Sequence, residues 1–289
     1  MKFGIGFANT GPFAGGDGAR QMALAAEAAG FESLWTVEHT VVPQGYESPY
    51  PYSADGRMPG PEDSPIPDPL IWLTFLAGVT STIHLGTGIL ILPQRNPVVL
   101  AKEAATLDVL SGGRLLLGIG VGWLAEEFEA IGVPFHERGA RTDDHVAAMR
   151  ALWSGEAATY EGRFTSFEKC FARPEPVGGA IPIHVGGHTE AAAKRAGRLG
   201  DGFFPGTANP DDLARLVDIV RTTATEAGRD PDAIEISTMA LAMGPEAVDT
   251  VGRLAEAGVD RVIVPAFFFY GEPESSLSSY GEQVIAASA

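Results

Sequence analysis

The sequence predicts an α/β fold, a single (β/α)₈ TIM barrel with eight parallel strands and eight helices over residues 1–289. Short apolar runs alternate with helical stretches along the chain, and 289 residues suffice for one large barrel. The runs at 84–92 and 115–119 are almost continuously apolar, which is typical of parallel strands buried on both faces. A doubly wound sheet of six strands with a small second domain is the alternative.

The strand candidates are short, apolar and bounded by turn residues. Those at 84–92 and 115–119 carry glycines near their carboxyl ends, where ligands approach a parallel barrel, so we expect these glycines to make room for a ligand. In chain order the candidates are 2–7, 33–37, 84–92, 115–119, 181–185, 202–204, 234–241 and 261–264.

Helix candidates separate the strands, and capping residues define several of their ends. Asn96 and Pro97 begin one helix that stops at Gly112, while Asp17 and Gly30 bound the first. The predicted ranges are 18–29, 68–80, 97–110, 138–153, 190–196, 211–227, 246–257 and 276–287.

Two long insertions interrupt the alternation. Residues 42–67, after strand two, are rich in Pro, Gly and Tyr, and such a connection is either a functional lid or a disordered loop. The tyrosines favour a packed lid that lines a pocket on the carboxyl face of the barrel. Residues 155–180, before strand five, contain the segment YEGRFTSFE, which predicts a short hairpin.

Composition excludes several classes of function. The formal net charge is −17, and no Lys/Arg cluster forms a nucleic-acid footprint. Cys170 is the only cysteine, so an internal disulfide is excluded, and a buried apolar thiol is favoured over a catalytic one. No signal-peptide pattern and no run of about 18 apolar residues occurs, so we expect a cytoplasmic protein without membrane contact.

Two segments carry residues suited to chemistry. Glu38 and His39 end strand two, where a neutral imidazole can accept or donate a proton; a histidine bonded to a loop carbonyl is the alternative. In IPIHVGGHT, Gly186 and Gly187 precede a helix, which predicts an anion site with bare backbone N–H groups, or else an ordinary tight turn. His188 lies within reach of that anion.

Other motifs are interpreted as structural. His184 lies within a strand and is expected to be a hydrogen-bonded core histidine. The segment GIGVGW at 118–123 lacks the G-x-G-x-x-G spacing of a dinucleotide-binding turn. His136 and His145 match no standard metal-binding spacing, so no metal is expected.

Three segments in order resemble the bacterial luciferase-like (LLM class) family, and within it the coenzyme F420-dependent oxidoreductases. They are SLWTVEH, LGTGILILPQRNPVVLAKEAATLDVLSGGRLLLGIGVGW and IPIHVGGHTEAAAKRAGRLGDGF. The resemblance covers nearly the whole chain and implies a (β/α)₈ barrel that moves a hydride between F420 and a small organic substrate.

The resemblance also implies roles for individual residues. His39 would lie beside the deazaflavin ring and transfer a proton, Gly88–Ile89 would form a non-proline cis peptide under the ring, and Gly120 would line its other edge. Trp123 would form an aromatic wall of the pocket. The implied cofactor-binding residues are Glu38, Gly88, Ile89, Gly120, Gly186, Gly187, His188, Thr189 and Gly206, and the candidate substrate-pocket residues are Tyr50, Tyr52 and Trp123.

This chain departs from one branch of the family. The sugar-phosphate dehydrogenases have a Trp and a catalytic Glu where this chain has Pro43 and Trp123, which disfavours sugar-phosphate oxidation. An FMN-dependent two-component monooxygenase and a non-catalytic flavin- or deazaflavin-binding barrel remain alternatives. A homodimer that binds a small-molecule substrate is the expected assembly. The cations considered for steering the cofactor tail are Arg95, Lys194, Arg195 and Arg198.

Overall fold

The computed structural model describes residues 1–288, and its main sheet closes into the predicted eight-stranded parallel barrel. The strands are β1 (Lys2–Gly6), β2 (Ser33–Thr36), β3 (His84–Thr87), β4 (Leu90–Ile91), β5 (Leu115–Gly120), β6 (Ala158–Glu161), β7 (Ser166–Cys170), β8 (Ile183–Gly186), β9 (Gly202–Phe204), β10 (Glu235–Met239) and β11 (Arg261–Pro265). Around the barrel they run β3–β2–β1–β11–β10–β9–β8–β5, and pairing of β3 with β5 closes the ring.

The third barrel position consists of two short strands rather than the single strand predicted at 84–92. The peptide bond between Gly88 and Ile89 is cis, as the family resemblance implied, and it separates β3 from β4. β3 pairs with the start of β5, and β4 pairs with its end through Leu90–Ile119 and Ile91–Gly120. The break therefore leaves two residues out of the ladder at the carboxyl end of the barrel wall.

Helices cover the outside of the barrel and largely follow the predicted ranges. Asn96 caps α3 by accepting from the N–H groups of Val98 and Val99, and Gly112 ends it with φ +72°. α4, which follows Trp123, was not predicted, and α9 begins three residues earlier than expected. The helices are α1 (Gly16–Ala28), α2 (Pro69–Ala77), α3 (Pro97–Ser111), α4 (Ala125–Ala130), α5 (Arg138–Trp153), α6 (Glu190–Leu199), α7 (Pro210–Glu226), α8 (Ala247–Glu256) and α9 (Pro273–Tyr280).

The two insertions differ in structure. Residues 155–180 contain the predicted hairpin, in which β6 and β7 pair antiparallel with Tyr160 opposite Phe167. Residues 42–67 contain no regular helix or strand, and their aromatic side chains pack over the carboxyl face of the barrel. This insertion is called the lid below.

Trp35 fills the barrel interior. It helps to explain why two positions, at which we expected a ligand to approach, are glycine. Its side chain is fully buried among Leu116, Phe204 and Ile263. A Cβ added to Gly86 would lie 2.7 Å from the indole, and one added to Gly118 would overlap the Thr87 carbonyl oxygen. The expectation that these two glycines accommodate a ligand was wrong, because the indole and a neighbouring strand occupy that space.

His184 is a core histidine, but its hydrogen bonding differs from the prediction. Its ring lies edge-on to Trp35 at 5.4 Å, and its Nδ1 is buried without a hydrogen-bond partner. Burial, together with Arg261, lowers its pKa to about 4, so the ring is neutral at pH 7. Elsewhere, no helix within residues 1–288 is long and apolar enough to cross a membrane.

Candidate active site

His39 lies just after β2 at the carboxyl end of the barrel, with only 9% of its side chain exposed. Its Nδ1 lies 3.2 Å from Oε2 of Glu127, and its ring meets Trp123 edge-on at 5.7 Å. Within residues 1–288, Nε2 has no hydrogen-bond partner, and it is not among the buried unpartnered atoms. The imidazole thus offers one free nitrogen toward the barrel mouth, which suits proton transfer.

Glu127 was not identified from the sequence, although it is the main partner of His39. It lies on α4, is fully buried, and accepts from the backbone N–H groups of Thr40 (2.5 Å) and Val41 (3.3 Å). A carboxyl group four residues after Trp123, just past a barrel strand, is the signal that could have indicated it.

Glu38, the residue before His39, has its carboxylate already bonded to other groups of the protein. Arg95 Nε donates to Glu38 Oε1 at 3.0 Å, and the N–H of Ile91 donates to Oε2. Burial raises the pKa of Glu38, and the charge of Arg95 opposes that rise. Glu38 therefore braces β2 against the segment that follows the cis peptide, and its direct contact with a cofactor stays a prediction.

Arg95 is paired with two carboxylates, which disfavours the steering role considered from the sequence. Its guanidinium bridges Glu38 and Asp68, and the Asp68 carboxylate also caps α2 by accepting from Leu70 and Ile71. With both carboxylates engaged, Arg95 ties the residue pair after β2 to the start of α2. A charge neutralised in this way attracts a distant anion weakly.

Ile89 occupies the space that two of the predicted cofactor-binding glycines leave. A Cβ added to Gly120 would lie 2.5 Å from Cδ1 of Ile89, and one added to Gly186 would lie 2.5 Å from its Cγ2. Ile89 itself is half-buried at the mouth. In this structure the two glycines accommodate the Ile89 side chain, and their direct contact with a cofactor stays a prediction.

The lid brings an aromatic cluster to the mouth. Tyr46 and Tyr50 contact Trp123 edge-on at 5.4 and 5.2 Å between ring centroids, and Tyr50 contacts Tyr52 at 5.4 Å. Burial, with a further contribution from Tyr52, raises the pKa of Tyr50 to about 12. Tyr50 is therefore a hydrogen-bond donor at neutral pH. The predicted pocket residues Tyr50, Tyr52 and Trp123 form one wall beside His39.

The lid is held to α4 by a reciprocal pair of contacts. The Ser48 hydroxyl accepts from the N–H of Ala125 at the start of α4, and Glu126 Oε1 accepts from the N–H groups of Glu47 (2.7 Å) and Ser48 (3.0 Å). This is a capping arrangement between two segments rather than within one helix. It orders the first part of the lid and the α4 that carries Glu127 as one unit.

The turn after β8, which was predicted to be an anion site with bare backbone N–H groups, has only some of those features. The N–H of Gly187 is not bare, because it donates to the Phe204 carbonyl at 3.2 Å. The available N–H groups are those at the start of α6, where Thr189 caps the helix by accepting from Ala192. The positive end of α6 nevertheless faces this turn, so it can still bind an anion.

A cavity of about 470 Å³ lies beside this turn, between the lid tip, His188, Gly206 and Arg215. Tyr52 meets His188 edge-on at 5.0 Å and occupies the space that a Cβ on Gly206 would need. Nδ1 of His188 is buried and unpartnered in the described residues. Gly206 thus accommodates the lid, while the His188 side chain lines the cavity.

The cation nearest the cavity was not among the predicted ones. Arg215, on α7, lines it and pairs with Glu190 at 3.1 Å, whereas Arg195 and Arg198 both bond to Asp143. Arg215 gives no local sequence signal, because only closure of the barrel brings α7 beside α6. Within residues 1–288, no group of three or more His, Cys, Asp or Glu side chains could hold a metal ion.

Comparisons with known proteins identify the family of the chain. The sequence profile of the luciferase-like monooxygenases matches residues 1–275. An uncharacterized protein of Mycobacterium tuberculosis is 37% identical over 243 residues, 84% of this chain and 83% of the relative. The F420-dependent glucose-6-phosphate dehydrogenase of Kineococcus radiotolerans is 36% identical over 188 residues, 63% of this chain and 50% of that enzyme.

A solved structure shares the fold at lower sequence identity. An F420-dependent secondary alcohol dehydrogenase, in complex with an F420–acetone adduct, superposes with a TM-score of 0.80 at 20% identity. The match covers 100% of this chain and 99% of that chain. This likeness demonstrates the common barrel architecture.

Proposed function

Because the chain belongs to the luciferase-like monooxygenase family, we propose that it is an oxidoreductase that transfers a hydride between coenzyme F420 and a small organic substrate. Relatives and structural neighbours named for F420 support this choice of cofactor. The observation in this chain that carries the proposal is His39. Its free Nε2 stands beside an aromatic wall under the same lid that reaches the anion-binding turn.

The residues present fit an anionic cofactor with an aromatic ring. The imidazole of His188, just before α6, and the guanidinium of Arg215 line the cavity and suit an acidic tail, although the Asp212 carboxylate lines it as well. Ile89 would support the ring, since it is the half-buried apolar side chain at the mouth. The deazaflavin, when bound, supplies the hydride chemistry.

The protein's own part is to orient, to exclude water and to move a proton. Trp123 packs against His39, and Tyr50 packs against Trp123, so the two rings would limit access of water from the lid side. Nε2 of His39 would accept a proton from a substrate that is oxidised, or donate one to a substrate that is reduced. Tyr50, protonated at neutral pH, is a second donor at the same wall.

The test is a parallel titration of the purified protein with F420 and with FMN, followed by cofactor fluorescence. We expect F420 to bind more tightly than FMN. Arg215→Ala should weaken F420 binding by roughly 3- to 10-fold, about 1 kcal/mol, and reduce its salt dependence. Arg221→Ala, at an exposed arginine six residues further along α7, is the matched control and should bind like the wild type.

Two other results would redirect the proposal. Tight FMN binding with oxygen-dependent turnover would establish the monooxygenase alternative in its place. F420 that binds but exchanges no hydride with any alcohol, ketone or enone of a broad panel would instead support the non-catalytic barrel.

A further inference from the structure

We propose that Glu127 is a positioning residue that fixes the tautomer of His39, with the proton on Nδ1 and the lone pair of Nε2 facing the barrel mouth. The proposal rests on the proposed function only for the use made of that lone pair. The tautomer itself is a property of the protein without any cofactor.

The two carboxylate oxygens of Glu127 contact different groups. Oε1 accepts from the backbone N–H groups of Thr40 and Val41, while Oε2 faces Nδ1 of His39 at 3.2 Å. A carboxylate oxygen can only accept, so the nitrogen opposite it must carry the hydrogen. Neutral His39 then has its lone pair on Nε2, which is the nitrogen without a protein partner.

Burial makes this assignment energetically significant. Glu127 is fully buried and 9% of the His39 side chain is exposed, so water competes little for the Nδ1–Oε2 contact. Reversing the tautomer would place the Nδ1 lone pair against a carboxylate oxygen and leave that oxygen without a donor, which is costly in a buried site. The arrangement resembles the way a buried acid orients a catalytic histidine in hydrolases, although here no nucleophile is required.

The function of the pair is to keep Nε2 ready as a proton acceptor. In an oxidation, the substrate's C–H bond would release a hydride to the deazaflavin while its O–H or N–H proton moved to Nε2. A carbon–oxygen or carbon–nitrogen double bond would form, and His39 would become an imidazolium stabilised by Glu127. The reduction runs through the same atoms in reverse. Atoms and charge balance with the cofactor named by the proposed function as hydride partner.

Glu127→Gln separates positioning from simple structural support. The N–H groups of Thr40 and Val41 require an oxygen, so the glutamine carbonyl must take the place of Oε1. Its NH₂ group then faces Nδ1 of His39 and donates to it, which moves the imidazole proton to Nε2. A purely structural role for Glu127 would be served equally well by glutamine.

The measurement is the pair of imidazole ¹⁵N chemical shifts of His39, taken at a pH where the ring is neutral. The His39 signals are assigned as those that disappear in His39→Ala. We expect the Nδ1–H form in the wild type and the Nε2–H form in Glu127→Gln. Glu129→Gln, an exposed carboxylate on the same helix, should match the wild type. Glu127→Asp keeps the carboxylate and should keep the Nδ1–H form.

An Nε2–H tautomer in the wild type would overturn the proposal, and this measurement needs no variant to fold. An unchanged tautomer in folded Glu127→Gln would overturn it equally. Because neither result depends on F420, failure here is distinguishable from failure of the proposed cofactor. With the substrate that the panel identifies, Glu127→Gln should lower kcat by roughly 10²- to 10⁴-fold and change KM much less.

Discussion

At the scale of single residues, buried and half-buried carboxylates carry much of the organisation of this protein. Glu127 orders the segment after β2, and Asp68 caps α2 while pairing with Arg95. Glu32 and Glu235 hold the fully buried Arg261, which lies 5.3 Å from the Trp35 ring. A net charge of −17 is therefore more than a solubilising surface, since several acidic groups serve as acceptors for backbone N–H groups or buried cations.

Glu27 gives a prediction about pH and stability. Burial alone would raise its pKa, but the N–H groups of Thr82, Ile83 and Ser81 outweigh burial and lower the pKa to about 2. The unfolded chain has the ordinary value of 4.5. The contribution of Glu27 to stability is therefore fully present above pH 4.5 and is lost as the pH falls toward 2.

Glu27→Gln should remove that contribution. We expect the variant to be less stable than the wild type at pH 7 and to lose less unfolding free energy between pH 4.5 and 2, as measured by urea denaturation. Glu256→Gln, an exposed carboxylate at the end of α8, should retain the wild-type pH dependence. Parallel pH curves for wild type and Glu27→Gln would contradict the assignment.

At the scale of elements, glycines in the barrel strands make room for side chains that pack inside the barrel. Gly86 makes room for Trp35, while Gly120 and Gly186 make room for Ile89. Gly118 allows β5 to approach the Thr87 carbonyl, and Thr87 in turn donates its hydroxyl to the Gly118 carbonyl at 2.6 Å. The glycines thus set the close contact between neighbouring strands and shape the floor of the site.

Gly118→Ala and Gly252→Ala should change stability in opposite directions. A Cβ at 118 would overlap backbone that cannot rotate away, so we expect a loss of about 1–3 kcal/mol in unfolding free energy. A Cβ at 252, in the middle of α8, meets nothing within 4 Å, so alanine should add about 0.4–1 kcal/mol. Chemical denaturation measures both. Equal effects would show that the close approach at Gly118 is unimportant.

At the scale of the whole molecule, α2 presents an apolar surface to solvent. Ile71 is 75% exposed and Phe75 is 45% exposed, and the sequence PLIWLTFLA contains no charged residue. A helix that is apolar all round is normally covered. We expect a second copy of this chain to cover it, and the homodimer expected from the sequence stays a prediction.

Phe75→Glu should therefore lower self-association. We expect a wild-type dimer and a predominantly monomeric variant in sedimentation velocity at micromolar concentration, because the new charge would be desolvated at the interface. Val248→Glu, an exposed apolar position on α8, should remain dimeric. A monomeric wild type would remove this face from consideration as a dimer interface.

The sequence alone determined much of this protein, because its patterns record interactions between residues close along the chain. Apolar runs and capping residues specify strands and helices locally, so the barrel, the caps of α3 and the β6–β7 hairpin could be predicted. The family resemblance located the cis peptide at Gly88–Ile89 and directed attention to His39.

Only the tertiary structure decided which side chains meet. His39 and Glu127 are 88 residues apart, and closure of the barrel brings their strand ends together. The same closure places Arg215 at the cavity and pairs Arg95 with two carboxylates. Trp35 and Ile89 fill space beside barrel glycines, whereas the sequence had suggested that a ligand occupies it. Sequence patterns record no such contacts, because each depends on geometry that exists only after distant segments pack.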